Sequence, residues 1–337
     1  MKQPDSSLIE RAASELHAGN LVVFPTETVY GLGADARSSE AVARIFAAKG
    51  RPADNPLIVH LLGMEWIERV AESVSRAACE LLSRFSPGPL TVVLPAGPEV
   101  APAVTAGLGT VAVRIPAHPV ARSLLRACDL PIAAPSANRS GEPSPTTVEM
   151  SRRSLGERVA LYLDGGRCSV GLESTVLSVE ESTVRILRPG AVTAADVRAV
   201  LPRAEIVDAR GHSIEAASPG TRHRHYQPRA AVRLFSAEAI SSLGSPTRLS
   251  GTIGLICQRS VIDRAADALG GDAHRIVWRS YESPSEYATH LYRWFTELDD
   301  QRCEVILAQY PEREGVGEAI RDRLRRAAGE AGEPELG

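Results

Sequence analysis

The sequence predicts a mixed α/β (α+β) fold: a twisted mixed sheet flanked by helices, then a small second α/β domain. Three observations carry this reading. Helix and strand patterns alternate irregularly up to Leu201, with two hairpin-like strand pairs, which favours a mixed sheet over a strict parallel repeat. Apolar periodicity then fades across Ile206–Arg229, which holds Gly211, Pro219, Gly220 and Pro228. Beyond Arg229, strand and helix patterns alternate regularly. The domains are therefore read as residues 1–205, a linker at 206–229 and a second domain at 230–330. A length of 337 residues suits two domains of ordinary size.

The elements follow in order. Ser7–Gly19 is a helix, with Leu8, Ile9, Ala12, Ala13 and Leu16 on one face and Gly19 closing it. Leu21–Pro25 is a strand that runs into Thr26–Gly33, read as a polar loop punctuated by glycine. Ser39–Lys49 is a helix with Ser38 or Ser39 as cap. Leu57–Leu61 is a strand and Trp66–Phe85 one helix or two. Leu90–Leu94 and Thr110–Ile115 are strands, Val120–Ala127 a helix, and Pro131–Ala134 a strand. Val159–Leu163, Thr175–Val179 and Val184–Leu187 complete the first domain's strands. In the second, Gly254–Cys257, Arg275–Trp278 and Val305–Ala308 are strands. Val261–Leu269, Ser285–Asp299 and Gly317–Ala328 are helices.

Composition narrows the class. Hydrophobic residues make up 44% and charged residues 23%, as in a globular chain rather than a disordered one. No run of about 18 apolar residues predicts a membrane span. Met1–Glu10 is polar and does not read as a secretory signal. A net charge of −3 argues against strong autonomous nucleic-acid binding. Arginine far outnumbers lysine, which occurs at Lys2 and Lys49, so Lys49 stands out. Cys79, Cys128, Cys168, Cys257 and Cys303 are dispersed without a C-x-x-C pair. They read as small buried residues in a reducing cytoplasm, with no zinc site expected.

Polar clusters sit where strands end, the usual place for ligands in open α/β sheets. Lys49 and Arg51 close a helix. They are either cations suited to its dipole or a clamp for a polyanion. Ser136 and Asn138 alternate in an extended stretch, as turn caps or as donors to phosphate oxygens. His60 ends an apolar strand and is a core histidine or a ligand contact. Arg114 lies inside the apolar strand Val111–Ile115, where a charge demands a partner. A bound anion or a structural carboxylate would serve. No nucleophile elbow, H-E-x-x-H, Walker loop or G-x-G-x-x-G after a strand occurs. Such a site positions anionic substrates and neutralises their charge.

Seven segments in order resemble the YrdC-like family, in its two-domain threonylcarbamoyl-AMP synthase form. They are PTETVYGLG (Pro25–Gly33), KGRPADNPLIVH (Lys49–His60), SPGPLTVVLP (Ser86–Pro95) and VAVRIPAHP (Val111–Pro119). APSANRSGEPSPT (Ala134–Thr146), GLESTVL (Gly171–Leu177) and LRPG (Leu187–Gly190) follow. The linker SPGTRHRHYQP (Ser218–Pro228) resembles the family's SPGMKYRHYAP and departs from it at Thr221, Arg222, His223 and Gln227. The second domain, with EGVGEAIRDRL at Glu314–Leu324, is similar to the family's small Rossmann-like domain.

The resemblance implies a cytoplasmic nucleotidyltransferase. L-threonine, bicarbonate and ATP, with Mg2+ carried by ATP, would give threonylcarbamoyl-AMP and pyrophosphate. The product would pass to a transferase complex that makes N6-threonylcarbamoyladenosine in tRNAs reading ANN codons, with weak direct tRNA contact and no membrane as further expectations. By resemblance Lys49 and Arg51 are catalytic. Lys49, Arg51, Asn55, Thr110, Ser136, Asn138, Ser144, Arg188 and Tyr226 would hold ATP. Thr28, His60, Arg114, Ala134 (through its backbone) and Ser174 would hold threonine. The linker Ser218–Pro228 is expected to fold back as a lid that keeps water from a hydrolysable mixed anhydride. The same segments leave two rival readings. A hydrogenase-maturation carbamoyltransferase module would bring zinc-ligand cysteine spacing, which is absent. An RNA-binding module would bind tRNA tightly without ATP turnover.

Overall fold

The computed structural model describes residues 5–180, 182–208, 225–239, 251–269 and 276–329. The chain divides into two compact units, residues 1–140 with 144–223, and residues 141–143 with 224–337.

In the first unit α1 (Ser6–His17) leads to β1 (Val22–Phe24), β2 (Gly31–Asp35), α2 (Ser39–Lys49) and β3 (Ile58–His60). After a 3-10 turn at Met64–Arg69 come α3 (Arg76–Phe85), β4 (Leu90–Pro95) and a short α4 (Pro102–Thr105). Then follow β5 (Thr110–Arg114), α5 (Pro119–Cys128), β6 (Ile132–Ala133), α6 (Val148–Leu155) and β7 (Leu161–Tyr162). The antiparallel pair β8 (Thr175–Glu180) and β9 (Thr183–Arg188), then α7 (Ala194–Val200) and β10 (Glu205–Asp208), complete it. The ten strands form one mixed sheet, in the order β10-β9-β8-β4-β5-β3-β6-β2-β1-β7.

Register decides where chemistry can sit. In β3, β4 and β5, Val59, Val92 and Val113 lie at matched positions and join the main apolar core. The alternate positions face the other way. There Ile58, Ala112 and Val93 form a small apolar cluster with Val176 and Leu187. One step further along that same face come His60, Arg114 and Thr91, mutually in register.

In the second unit β11 (Ala231–Phe235), β12 (Thr252–Gln258), α8 (Ile262–Leu269) and β13 (Ile276–Tyr281) precede α9 (Pro284–Asp300), β14 (Cys303–Gln309) and α10 (Gly317–Ala328). All four strands are parallel, in the order β11-β14-β12-β13. Their interior is apolar, with Ile253, Leu255, Cys257, Val305 and Leu307 in one cluster. Tyr281 stacks on Tyr287 of α9 at 4.3 Å between ring centroids.

The mixed sheet flanked by helices and the separate parallel unit agree with the expected fold class. Several element readings are corrected. Thr26–Gly33 is not loop throughout, because β2 begins at Gly31 and pairs antiparallel with β1. The glycines that read as breakers make room for Phe24. A Cβ on Gly33 would lie 2.9 Å from the Phe24 ring and 2.8 Å from Ile132. Of the two alternatives for Trp66–Phe85, the structure takes the second, a 3-10 turn and a separate helix started afresh by the Ser75 cap on Ala78 N–H. The short helices α6 and α7 carry too few turns for periodicity to reveal them. Strand β10 occupies residues read as the start of the linker, and pairs parallel with β9. Strand β11 is likewise absent from the sequence reading. Its partner β14 is remote in the chain.

Candidate active site

Lys49 ends α2, where Gly50 adopts the left-handed conformation (φ 60°) and closes the helix. Its buried ammonium turns back to the loop after β6. Nζ donates to the carbonyl of Ser136 at 2.5 Å and also to that of Asn138. The loop answers with Ser140 N–H to the Lys49 carbonyl at 2.8 Å. Arg51, buried in the next turn, donates through Nη2 to the carbonyls of Pro56 (3.2 Å) and Asn55 (3.4 Å). Asn55 is buried beside it. Asn138 Nδ2 donates to the Arg139 carbonyl at 2.7 Å, while Ser136 is half-buried and forms a bridge with Gly31. The two halves of the expected basic motif, far apart in the chain, therefore meet.

Arg114, at the end of β5, is 3% exposed, and its partner is a structural carboxylate. Nη2 donates to Glu27 Oε1 at 2.7 Å, Nη1 to Thr28 Oγ1 at 2.8 Å and Nε to the Gly88 carbonyl at 3.3 Å. Glu27 Oε2 accepts the Ala117 N–H at 3.0 Å. Burial would raise the Glu27 pKa, but the charge and hydrogen bond of Arg114 prevail and hold it below the usual range. Thr26 Oγ1 donates to the Val29 carbonyl at 2.6 Å, so Thr28 donates in the 2.8 Å contact between the two threonine hydroxyls. The Thr28 oxygen thus accepts from Arg114, and its orientation is fixed.

His60, 3% exposed, stands beside Arg114 in register and meets the Phe24 ring edge-on at 5.7 Å. Burial, reinforced by the Arg114 charge, lowers its pKa to about 3, so the ring is neutral. Its Nδ1 is buried with no hydrogen-bond partner among the described residues. On the other side of Arg114, Thr91 Oγ1 and Ser174 Oγ share a hydrogen bond of 2.7 Å. Arg188 donates to Ser174 through Nη2 to the hydroxyl (3.2 Å) and Nε to the carbonyl (3.1 Å). Ser144 Oγ donates to Glu173 Oε1 at 2.5 Å, both residues being buried.

The segments are stitched together by backbone. Ala134 N–H donates to the Ile58 carbonyl, Ala137 N–H to Tyr30, and Tyr30 N–H to Pro145. With its N–H spent, Ala134 can offer a ligand only its carbonyl. Thr110 stands apart. It begins β5, four residues from Arg114 and so about 13 Å along the strand. Only a ligand of nucleotide length could touch both. Tyr226 belongs to the second unit, with its ring against Tyr292 at 5.4 Å and the Arg323 guanidinium 5.6 Å from its centroid. Of the expected lid, residues 218–224 lie outside the described residues.

Sequence reasoning overlooked Glu27, Thr91 and Glu173 as site residues. Glu27 had a signal: a carboxylate beside Thr28 in a chain that also needs a partner for a strand arginine. Thr91 and Glu173 had none, because only register and loop packing bring them in.

A row of buried polar side chains at strand ends, flanked by a basic helix terminus, is chemically suited to small anionic substrates. Comparison with known proteins narrows this. A family model for the Sua5, YciO and YrdC proteins, described as "Telomere recombination", matches residues 14–190. A second, described as "Threonylcarbamoyl-AMP synthase, C-terminal domain", matches residues 192–329. The chain belongs to the Sua5/YciO/YrdC family, in the form that carries the threonylcarbamoyl-AMP synthase C-terminal domain. The threonylcarbamoyl-AMP synthase of Pyrococcus abyssi is 40% identical over 95% of this chain and 94% of its own length. That of Bacillus subtilis is 40% identical over 95% and 93%. The crystal structure of P. abyssi Sua5 complexed with L-threonine matches with a TM-score of 0.87 at 37% identity, covering 97% of this chain and 96% of that one.

Proposed function

We propose that this chain is a threonylcarbamoyl-AMP synthase, which joins L-threonine, bicarbonate and ATP into L-threonylcarbamoyladenylate and releases pyrophosphate. The observation that carries this reading is the Arg114 cluster. Of five guanidinium N–H groups, three go to Glu27, Thr28 and Gly88, and one remains on each Nη. That pair is the fork a carboxylate takes bidentately. The unpartnered Nδ1 of neutral His60 lies alongside, suited to the amino or hydroxyl group of an amino acid. Thr28, Ser174 and the Ala134 carbonyl would complete the threonine pocket.

ATP would lie along Lys49, Arg51, Asn55, Ser136, Asn138, Ser144 and Arg188, with Thr110 at its far end. Lys49, Arg51 and Arg188 are cations and cannot ligate a metal; Mg2+ carried by ATP would be held by the phosphates and water, with the side-chain oxygens of Asn55, Ser136, Asn138 and Ser144 as the neutral donors nearby. It would supply charge neutralisation there. The threonine amine and CO2 from bicarbonate form a carbamate. A carbamate oxygen attacks the α-phosphorus, and pyrophosphate leaves with the electron pair. Positioning and charge stabilisation are what such a step asks of a protein. The adenylate would then serve a transferase that modifies tRNA. All five cysteines are free thiols, which suits a reducing compartment, and among the described residues no helix is long and apolar enough to cross a membrane.

The test is pyrophosphate release from ATP and bicarbonate, with and without L-threonine, and identification of the adenylate by mass. Threonine-dependent release with that product supports the assignment. Folded protein that releases none refutes it.

A further inference from the structure

His118 is buried and plays no part in the site just described. It is the N-cap of α5, and its Nδ1 accepts the Val120 N–H at 3.2 Å. Nδ1 therefore carries no proton, and the neutral ring bears it on Nε2. Burial lowers the His118 pKa and keeps the ring in that form. Histidine is an unusual choice, since Ser, Thr, Asp and Asn cap helices with less bulk. The ring is closely walled: a Cβ on Gly165 would come 2.4 Å from its Cε1 and 2.9 Å from its Nε2. Gly165 is itself held, its N–H donating to Tyr30 Oη at 3.2 Å.

What the cap aims is Ala117. That residue precedes it, and its N–H meets Glu27 Oε2 at 3.0 Å. Glu27 Oε1 meets Arg114 at 2.7 Å. A cap that fixes the turn into α5 thus fixes the donor that orients Glu27.

We propose that His118 is a positioning residue for threonine binding. Through the α5 cap and the Ala117 N–H it sets the Glu27 carboxylate, and through Glu27 the free fork of Arg114. The inference rests on Arg114 as the carboxylate anchor, so Arg114→Ala is measured beside it. In the pyrophosphate assay His118→Ala raises the threonine KM about tenfold, the effect of one weakened charged hydrogen bond, with the ATP KM and kcat little changed. His118→Asn keeps an acceptor for Val120 and restores most of the loss. Gly165→Ala, whose methyl crowds the ring, shifts the threonine KM in the same direction. Thermal melts check folding, and His118→Gln replaces the alanine variant if that one unfolds. An unchanged threonine KM in the His118 variants, while Arg114→Ala raises it, overturns the proposal. So does an equal rise for both substrates, or failure of Asn to rescue. If Arg114→Ala leaves the threonine KM unchanged, the anchor itself is refuted and the proposal falls with it.

Discussion

Both units bury arginine, and Arg323 and Arg114 show two different uses of it. In the second unit Arg323 is fully buried on α10 and pairs with its neighbour Asp322 at 2.6 Å. Asp322 also holds Arg326 one turn on, at 3.2 Å. The strands of that unit keep an apolar interior. In the first unit Arg114 is on a central strand, flanked in register by Thr91 and His60 and paired with a carboxylate from a distant loop. A strand charge is costly unless every donor is answered. In the first unit the pair stands in register beside His60, whose Nδ1 has no hydrogen-bond partner among the described residues. A buried arginine paired with its chain neighbour braces its own helix, whereas one paired across the fold gathers polar side chains from distant segments in one place.

Arg114 is the residue whose loss has the largest expected effect. Arg114→Ala leaves Glu27 buried and unpaired, so a loss of about 3–5 kcal/mol in stability is expected. Threonine-dependent turnover falls by about 100-fold or more. Urea unfolding and initial rates measure the two. Replacing both partners, Arg114→Met with Glu27→Leu, recovers most of the stability and none of the turnover. Recovery of both would make the pair mere scaffolding.

A core deletion in the second unit is the matched control. Leu255 is fully buried in β12, and Leu255→Ala costs about 2–5 kcal/mol. The threonine and ATP KM values stay as they were. A shift in either would show that the second unit's core also shapes the site.

Smaller changes are expected at the basic helix terminus. Lys49→Ala or Arg51→Ala raises the ATP KM roughly 10- to 100-fold, with threonine affinity retained. Lys49→Arg does not rescue, because a planar fork cannot replace a compact ammonium held between two carbonyls. Equal loss of both substrates would undo the division between the two pockets.

Per pH unit, the smallest effect is a slope in stability against pH. His60 titrates near pH 3 when folded and near 6.5 when unfolded, so the unfolded chain binds the extra proton between these values. Stability therefore falls as pH drops from 6.5 towards 3, by up to about 1.4 kcal/mol per pH unit. Glu27, depressed in the fold, adds stability above its unfolded pKa that is lost as pH falls through its folded one. His60→Leu flattens the first part of this acid limb and leaves the second. Urea midpoints between pH 7 and 4 test it, and an unaltered slope would remove His60 from the account.

Much of this was legible in the chain. α2 was read with its limits, since its apolar spacing, its Ser38 cap and the following Gly50 are neighbours in sequence. Arg114 stands out in the sequence because the strand around it is apolar, but the sequence leaves open whether a ligand or a carboxylate answers it. β2 was hidden by its own glycines, which signal a loop until Phe24 is seen lying across them.

Most of the helices and strands, the basic helix end and a strand charge in need of a partner are written locally in the sequence. These follow from periodicity, capping and polarity, which act over a few residues. Only the tertiary structure decided that Glu27 is that partner, that Thr91, Arg114 and His60 share one face, and that β10 joins the sheet. Strand register and loop packing join residues far apart in the chain, and no local pattern records which of them will meet.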